Sequence, residues 1–183
     1  MYVETQRMLV RDFVLEDAAD LYEILGDAKV MEHCEPAYDF AKTEKFLAEF
    51  CIGQKGAVAA VQRDTGKMIG YILFREDAAG VYEMGWFFNQ SYWRQGYAFE
   101  ACRAVIDHAF GENKIHKIFV ETIDAGKSVR LMEKLGMQPE GIQRSQVKDL
   151  SGRWADLYYY GLLEEEWRNR RVCGECFREL NTD

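Results

Sequence analysis

The chain has 183 residues, of which 48% are hydrophobic and 14% aromatic, and its formal net charge is −8. This length fits one domain with a substantial core, and no stretch approaches the roughly 20 apolar residues of a membrane helix. The acidic balance argues against non-specific nucleic-acid binding and mildly favours cationic partners, although surface acidity mostly serves solubility. Residues 1–4 lack the basic-then-apolar order of a signal peptide, so we expect a cytoplasmic protein without membrane or nucleic-acid partners.

The five cysteines are an odd number in a chain large enough to fold without disulfides, which predicts reduced thiols. Cys173 and Cys176 have redox or half-zinc spacing, but no second pair or nearby histidine completes a ligand set. We therefore predict no metal site. The expected organisation is a single domain over residues 1–170, followed by a charged tail over 171–183.

In the first half of the chain, the pattern predicts one strand and two helices, followed by three strands joined by short turns. These elements are a strand Arg7–Phe13, a helix Leu15–Leu25, an irregular segment 27–39, a helix from about Ala41 to Phe50, and strands Ala57–Arg63, Met68–Arg75 and Val81–Phe88. The turns Asp64–Lys67 and Asp77–Gly80 predict an antiparallel meander of the last three strands.

The second half predicts a β-α-β-α unit and then two more strands. These elements are a helix Gly96–Phe110, a strand Lys117–Ile123, a helix Ser128–Leu135, strands Gly141–Val147 and Asp156–Leu163 around a Ser151-Gly152 turn, and a closing polar helix Glu164–Arg171. Cys102 falls on the apolar side of the first of these helices, which predicts a core cysteine.

The segment from Arg94 to Phe99 joins a strand to a helix through Gly96. A glycine at such a junction lets the backbone approach a ligand closely, and the amides that follow lie at a helix N-terminus that favours an anion. Arg94, Arg103, Lys127 and Arg130 supply local positive charge. This pattern predicts a pyrophosphate site for a nucleotide-type cofactor.

Two residues are candidates for proton transfer. Glu83 lies on the strand before the glycine loop and is either a general base, acting directly or through water, or an exposed strand residue. Ser128 opens a helix and is either an N-cap or first-turn residue or the donor of a proton to a leaving group. The three histidines are scattered, so the sequence predicts no nucleophilic triad.

The last strand carries alternating polar and aromatic residues. Trp154, Asp156, Tyr158 and Tyr160 share one face of it. They form either an amine pocket, through cation–π and ionic contacts, or a mixed aromatic core face. Asp156 among aromatic side chains needs a partner if it is buried.

Taken together, four motifs resemble the GCN5-related N-acetyltransferases (GNAT), in particular the RimJ/RimL-type branch of ribosomal-protein N-terminal acetyltransferases. The motifs are Tyr92–Ala98, Ser128–Met137, Glu140–Gly141 and Gly152–Asp156, and the resemblance covers residues 5–167. It implies an α/β fold with a mixed, mostly antiparallel central sheet, a splayed parallel strand pair and flanking helices. It also implies acetyl-CoA as cosubstrate, with no metal and no covalent enzyme intermediate.

The resemblance implies a role for each part of the cleft. The pantetheine arm would be flanked by Trp86, Phe87 and Phe88. The cofactor would further contact the pyrophosphate loop and a lysine: Arg94, Gln95, Gly96, Tyr97, Ala98, Phe99 and Lys127. Glu83 would act as base, and Ser128 would protonate the leaving thiolate. From the residues of the last strand, we expect the amine side to include Trp154, Asp156 and Tyr158.

The chain departs from the wider family at three places. Trp93 stands where many members have glutamine or arginine, no asparagine occurs between Glu121 and Gly136, and Met132 replaces the tyrosine acid of other branches. The expected acceptor is a primary amine of a protein N-terminus, an amino acid, a polyamine or another small molecule. A homodimer is one of the oligomeric states compatible with the sequence. The alternatives are an acyl-CoA-binding regulatory module without turnover and a dinucleotide-dependent oxidoreductase, although the glycine loop lacks the G-x-G-x-x-G pattern.

Overall fold

The computed structural model describes residues 1–170 and places eight strands in one sheet. The strands are β1 Tyr2–Glu4, β2 Met8–Arg11, β3 Ala57–Gln62, β4 Met68–Ala78, β5 Val81–Phe88, β6 Lys117–Thr122, β7 Gln138–Lys148 and β8 Trp154–Leu163. The helices are α1 Ala18–Leu25, α2 Phe40–Phe46, α3 Tyr97–Gly111 and α4 Lys127–Leu135, with a further helical turn over 164–170. Most predicted elements are therefore present within a few residues.

The strand order is β1-β2-β3-β4-β5-β6-β8-β7. Every neighbouring pair is antiparallel except β5 and β6, which are parallel. The predicted fold class, a mostly antiparallel sheet with one splayed parallel pair and flanking helices, is confirmed.

Several element boundaries differ from the prediction. The strand β1 was not predicted, because three residues carry too little alternation to be recognised. The first helix begins with a 3-10 turn over Leu15–Asp17, and α2 continues as π-helical turns over Leu47–Gly53. The strand β7 extends over eleven residues at the edge of the sheet, the position where a strand proline such as Pro139 is tolerated.

The sheet separates two hydrophobic clusters. One contains the buried side of α3 with Met132 of α4, and it includes Met84 and Phe88 of β5. The other contains the buried side of α1, and Phe87 packs against it. Since successive side chains of a strand point to opposite faces, β5 contributes to both clusters. Cys102 is fully buried in the first cluster, as predicted.

The parallel pairing of β5 with β6 is short. It consists of Val81 with Lys117, Tyr82 with Ile118 and Glu83 with Phe119, although β5 runs on to Phe88 and β6 to Thr122. The two strands therefore part after these positions and open a gap in the sheet, directly before the loop that leads into α3.

Two further expectations concern membrane-spanning helices and the C-terminal tail. Among residues 1–170, no helix is both long enough and apolar enough to cross a bilayer. The predicted charged tail, with Cys173 and Cys176, lies outside the described residues.

Candidate active site

The glycine loop has a backbone suited to an anion. Gly96 has a φ of 84° and Arg94 a φ of 60°, so two left-handed residues precede α3 within three positions. Gly96 caps the helix without any side-chain acceptor, and the first amides of a helix have no partner within it. Successive amides in such a conformation form a concave anion-binding nest. The loop therefore presents free backbone donors at the positive end of a 15-residue helix.

Local hydrogen bonds hold the approach to this loop. The indole nitrogen of Trp93 donates to the carbonyl of Phe88 at 2.7 Å, and the side-chain amide of Gln95 donates to the carbonyl of Ser91 at 3.0 Å. The tryptophan that departs from the wider family's pattern thus ties the loop to the end of β5.

A cleft of about 1060 Å³ runs from the nest into the gap between β5 and β6. All ten residues predicted to bind the cofactor line it: Trp86, Phe87, Phe88, Arg94, Gln95, Gly96, Tyr97, Ala98, Phe99 and Lys127. Ser128 lines it as well. The structure therefore brings together residues from β5, the glycine loop and the start of α4, which are up to 42 positions apart in the sequence.

Aromatic side chains form much of the wall that β5 contributes. Phe87 stacks on Tyr71 with ring centroids 4.9 Å apart. The ring of Phe88 lies over Gly70 on β4, so closely that a Cβ at Gly70 would come within 2.3 Å of it. The cleft thus has rigid apolar walls beside a polar nest.

The charges that line the cleft are unevenly distributed. Five cations line it in this acidic chain: Lys29, Arg94, Lys127, Arg130 and Lys134. The carboxylates that line it are Glu32, Glu121 and Asp124. This local excess of positive charge favours an anionic ligand.

Asp124 caps α4 and contacts Ser128. Its carboxylate accepts hydrogen bonds from the amides of Gly126 (2.9 Å), Lys127 (3.1 Å) and Ser128 (3.1 Å), and the Ser128 hydroxyl donates to it at 3.2 Å. Partial burial alone would raise the pKa of Asp124, but the three amide hydrogen bonds outweigh it and hold that pKa below its usual value. Ser128 is a first-turn residue of α4 and not its N-cap, because the helix begins at Lys127. Asp124 orients its hydroxyl, and Ser128 also lines the cleft.

Glu83 lies at the last paired position before β5 and β6 part. Arg75 on β4 binds its carboxylate, with the Nε 2.7 Å from Oε2 and a terminal nitrogen 2.5 Å from it. Glu83 is not among the cleft-lining residues. Its carboxylate is thus engaged by Arg75 at the edge of the gap between β5 and β6.

The three residues predicted for the amine side lie away from the cleft lining. Trp154 is 63% exposed, and the Lys148 ammonium lies 5.2 Å from its ring centroid. Asp156 accepts a hydrogen bond from the Ser145 amide at 2.8 Å, at an irregularity in the β7–β8 pairing. Tyr158 packs against the α3-side core. Asp156 is only partly buried, and its partner is the backbone of β7.

Glu121 was not recognised as a candidate from the sequence. It lies on β6 just beyond the parallel pairing and lines the cleft. Burial raises the pKa of Tyr159, and a hydrogen bond to Glu121 together with the nearby charges of Glu121 and Glu83 raises it further. The sequence does show a carboxylate on the strand that follows α3. Whether that carboxylate reaches the cleft depends on where β5 and β6 part, which the sequence does not indicate.

The segment 29–34 between α1 and α2 also lines the cleft, with Lys29, Val30, Glu32, His33 and Cys34. The sequence predicted only an irregular segment there. Among residues 1–170, no three His, Cys, Asp or Glu side chains are arranged to hold a metal ion.

Comparison with known proteins gives matches along most of the chain. The family model described as "Acetyltransferase (GNAT) domain" matches residues 7–138. A Bacillus subtilis (strain 168) protein named uncharacterized N-acetyltransferase YnaD is 35% identical over 173 residues, which cover 91% of this chain and 99% of that protein.

Solved structures of similar fold include other acetyltransferases. The crystal structure of a GNAT-family acetyltransferase from Bacillus anthracis has a TM-score of 0.84 and 30% sequence identity, covering 91% of this chain and 100% of the other. The ribosomal-protein-S5-alanine acetyltransferase from Vibrio fischeri has a TM-score of 0.75 at 18% identity, covering 91% of this chain and 98% of the other, a likeness that shows the fold alone. With the family model spanning most of the chain and a close relative matching nearly its whole length, the chain belongs to the GNAT family and is an N-acetyltransferase.

Proposed function

We propose that the protein transfers the acetyl group of acetyl-CoA directly to a primary amine. The observation that carries the proposal is one continuous cleft that joins an anion-binding nest to the gap between β5 and β6. A nucleotide pyrophosphate matches the free amides of the nest, and a thin arm of amide and methylene groups matches a gap with aromatic walls. The residues present therefore fit acetyl-CoA.

In this proposal the backbone amides from Arg94 to Phe99 bind the pyrophosphate, and Lys127 adds positive charge near it. Trp86, Phe87 and Phe88 line the path of the pantetheine arm. When bound, acetyl-CoA supplies the acyl group as a thioester, which is activated toward attack by an amine. The gap in the sheet orients that thioester by confining the arm beside β5.

Proton transfer needs a group that accepts a proton from the substrate ammonium, so that the neutral amine can attack, and one that donates a proton to the departing thiolate. Ser128 is the proposed donor, since its hydroxyl lines the cleft and is held by Asp124. Glu83 is the proposed acceptor through a water. Glu121 is a second candidate acceptor, because its residue lines the cleft. The carboxylate of Asp124 also lies there, but it already accepts the hydrogen bonds that cap α4.

The acceptor class extends over protein N-termini, amino acids, polyamines and amine-bearing small molecules. The resemblance to the RimJ/RimL-type branch supports including a ribosomal-protein N-terminus. The segment 29–34, with Lys29, Glu32 and His33 at the cleft, and the β7–β8 hairpin with Trp154, Asp156 and Tyr158 are the proposed determinants of choice among these amines, since binding specificity concentrates on loops.

The assay is the release of free thiol from acetyl-CoA with a panel of these four amine classes. Amine-dependent thiol release with at least one class is expected. Gly96→Glu should abolish acetyl-CoA binding, because any side chain is strained at a φ of 84° and glutamate adds a negative charge beside the nest. Tight acetyl-CoA binding without thiol release on any amine would instead support a regulatory module. Unchanged acetyl-CoA affinity in Gly96→Glu would contradict the nest assignment.

A further inference from the structure

The turn between β1 and β2, residues 5–7, packs behind the glycine loop. From this turn Arg7 reaches three positions of the loop and of the first turn of α3. Its terminal nitrogen donates to the carbonyl of Gln95 at 2.9 Å, and its Nε donates to the carboxylate of Glu100 at 2.7 Å. Its guanidinium carbon also lies 4.4 Å from the ring centroid of Tyr97. One side chain thus holds residues on both sides of Gly96.

The bond to Gln95 determines where an amide of the nest points. The carbonyl of Gln95 and the N–H of Gly96 belong to one planar trans peptide and therefore point in opposite directions. Because Arg7 holds the carbonyl on its own side, the Gly96 N–H is directed away from Arg7. The left-handed conformation of Arg94, which is not a glycine, makes this stretch costly to hold without such a contact.

The second effect is electrostatic. Glu100 lies in the first turn of α3, and its side chain is only 17% exposed. It accepts hydrogen bonds from the Thr5 hydroxyl (2.6 Å) and the Arg7 amide (2.9 Å) as well as from the guanidinium. Burial would raise the pKa of Glu100, but these hydrogen bonds and the charge of Arg7 outweigh it and lower that pKa. An ionised carboxylate so close to the nest opposes a bound anion unless a cation compensates it.

We infer that Arg7 is a positioning residue for the pyrophosphate: it orients the Gln95-Gly96 peptide and neutralises Glu100 behind the nest, without touching the ligand itself. The inference rests on the proposed function, since it assigns a role toward acetyl-CoA. It places part of the cofactor site in the N-terminal turn, about 90 residues from the loop it serves.

Two acetyl donors separate this role from a general loss of structure. Acetyl-CoA carries the pyrophosphate, whereas S-acetyl-pantetheine carries only the arm and the thioester. Steady-state kinetics of Arg7→Ala should show KM for acetyl-CoA raised about 10- to 30-fold, because the Gln95-Gly96 peptide loses its orientation and the charge of Glu100 is left uncompensated behind the nest. The kcat at saturation should stay within about twofold, and kcat/KM for S-acetyl-pantetheine should be unchanged.

Arg63→Ala is the matched control. Arg63 contacts the same turn, donating to the Thr5 carbonyl at 2.7 Å and pairing with Glu4 at 3.4 Å. These contacts do not include the glycine loop. Its removal should leave KM for both donors at the wild-type value while loosening the turn to a similar degree.

Two further variants guard against poor folding of Arg7→Ala. Arg7→Lys keeps the charge but replaces the guanidinium that spans Gln95 and Glu100, so a smaller rise in KM of about three- to fivefold is expected for acetyl-CoA alone. Adding Glu100→Gln to Arg7→Ala should recover part of the lost affinity by removing the uncompensated carboxylate.

The inference is overturned if the Arg7 variants match wild type with acetyl-CoA, or if they lose the same factor with both donors. Wild-type protein that does not bind acetyl-CoA at all would instead refute the proposed function, so the two failures are distinguishable.

Discussion

Replacing Asp124 by alanine tests how α4 and the proposed proton donor are held. The change removes the acceptor of three amide hydrogen bonds, from Gly126, Lys127 and Ser128, and of the bond from the Ser128 hydroxyl. The freed amides lie at a partly exposed helix end and can bind water, so the cost resembles that of losing a good N-cap. We expect a loss of about 1–2 kcal/mol in the free energy of unfolding. For a chain of this size that corresponds to a fall in Tm of roughly 2–8 °C.

The same carboxylate predicts a pH dependence. Its pKa is lower in the folded protein than in the unfolded chain, where an aspartate has a value of about 3.9. Its contribution to stability is therefore fully present above about pH 4 and is lost as the pH falls through the lower, folded-state pKa. The difference in unfolding free energy between wild type and Asp124→Ala, measured in urea, should be full at pH 7 and shrink at pH 3.

Asp39→Ala is the matched control for Asp124→Ala. Asp39 caps α2 by accepting a hydrogen bond from the Lys42 amide at 2.7 Å, and it does not line the cleft. Both variants should lose thermal stability, but only Asp124→Ala should also lower kcat in the thiol-release assay, because it frees the Ser128 hydroxyl. An unchanged Tm in Asp124→Ala, or an equal loss of kcat in Asp39→Ala, would refute the reasoning.

Three further substitutions have defined outcomes. Ser128→Ala should lower kcat about 100-fold with little change in KM for acetyl-CoA, as for a general acid; a kcat equal to wild type would leave the serine a structural role only. Gly70→Ala should cost about 1–3 kcal/mol in chemical denaturation, because its Cβ would meet the ring of Phe88 at 2.3 Å; wild-type stability would mean that the ring moves freely. Asp17→Ala should lower the free energy of unfolding by about 3–5 kcal/mol, since Arg11 loses the carboxylate whose two oxygens lie 2.7 and 2.8 Å from its nitrogens. A loss below about 1 kcal/mol would mean that water solvates the guanidinium in place of Asp17.

The sequence predicted the elements around the cofactor because each leaves a local signal. Aromatic and β-branched residues in Val81–Phe88, a glycine at 96 and helical spacing after it are sufficient to place a strand, a glycine junction and a helix in succession. The ten predicted cofactor residues all lie within these elements or at the start of α4, and all line one cleft. The short strand β1 was not predicted, since its three residues are too few to show the alternation of a strand.

The amine side shows where such inference ends. Alternation placed Trp154, Asp156 and Tyr158 on one face of a strand, but it could not state which neighbour that face meets. The strand β8 pairs with β6 and β7, and the carboxylate of Asp156 binds the Ser145 amide at a bulge whose position no local pattern indicates. The cleft-lining carboxylate Glu121 was missed for the same reason.

By itself, the sequence predicted most of the strands and helices in their order and the glycine at the strand-to-helix junction before α3, because these signals lie within one or two turns of each other. Only the tertiary structure decided that β5 and β6 part after three paired positions, that Arg75 engages Glu83, and that Arg7 lies behind the glycine loop. These contacts join residues far apart in the chain, and their geometry follows from strand register and packing across the whole sheet.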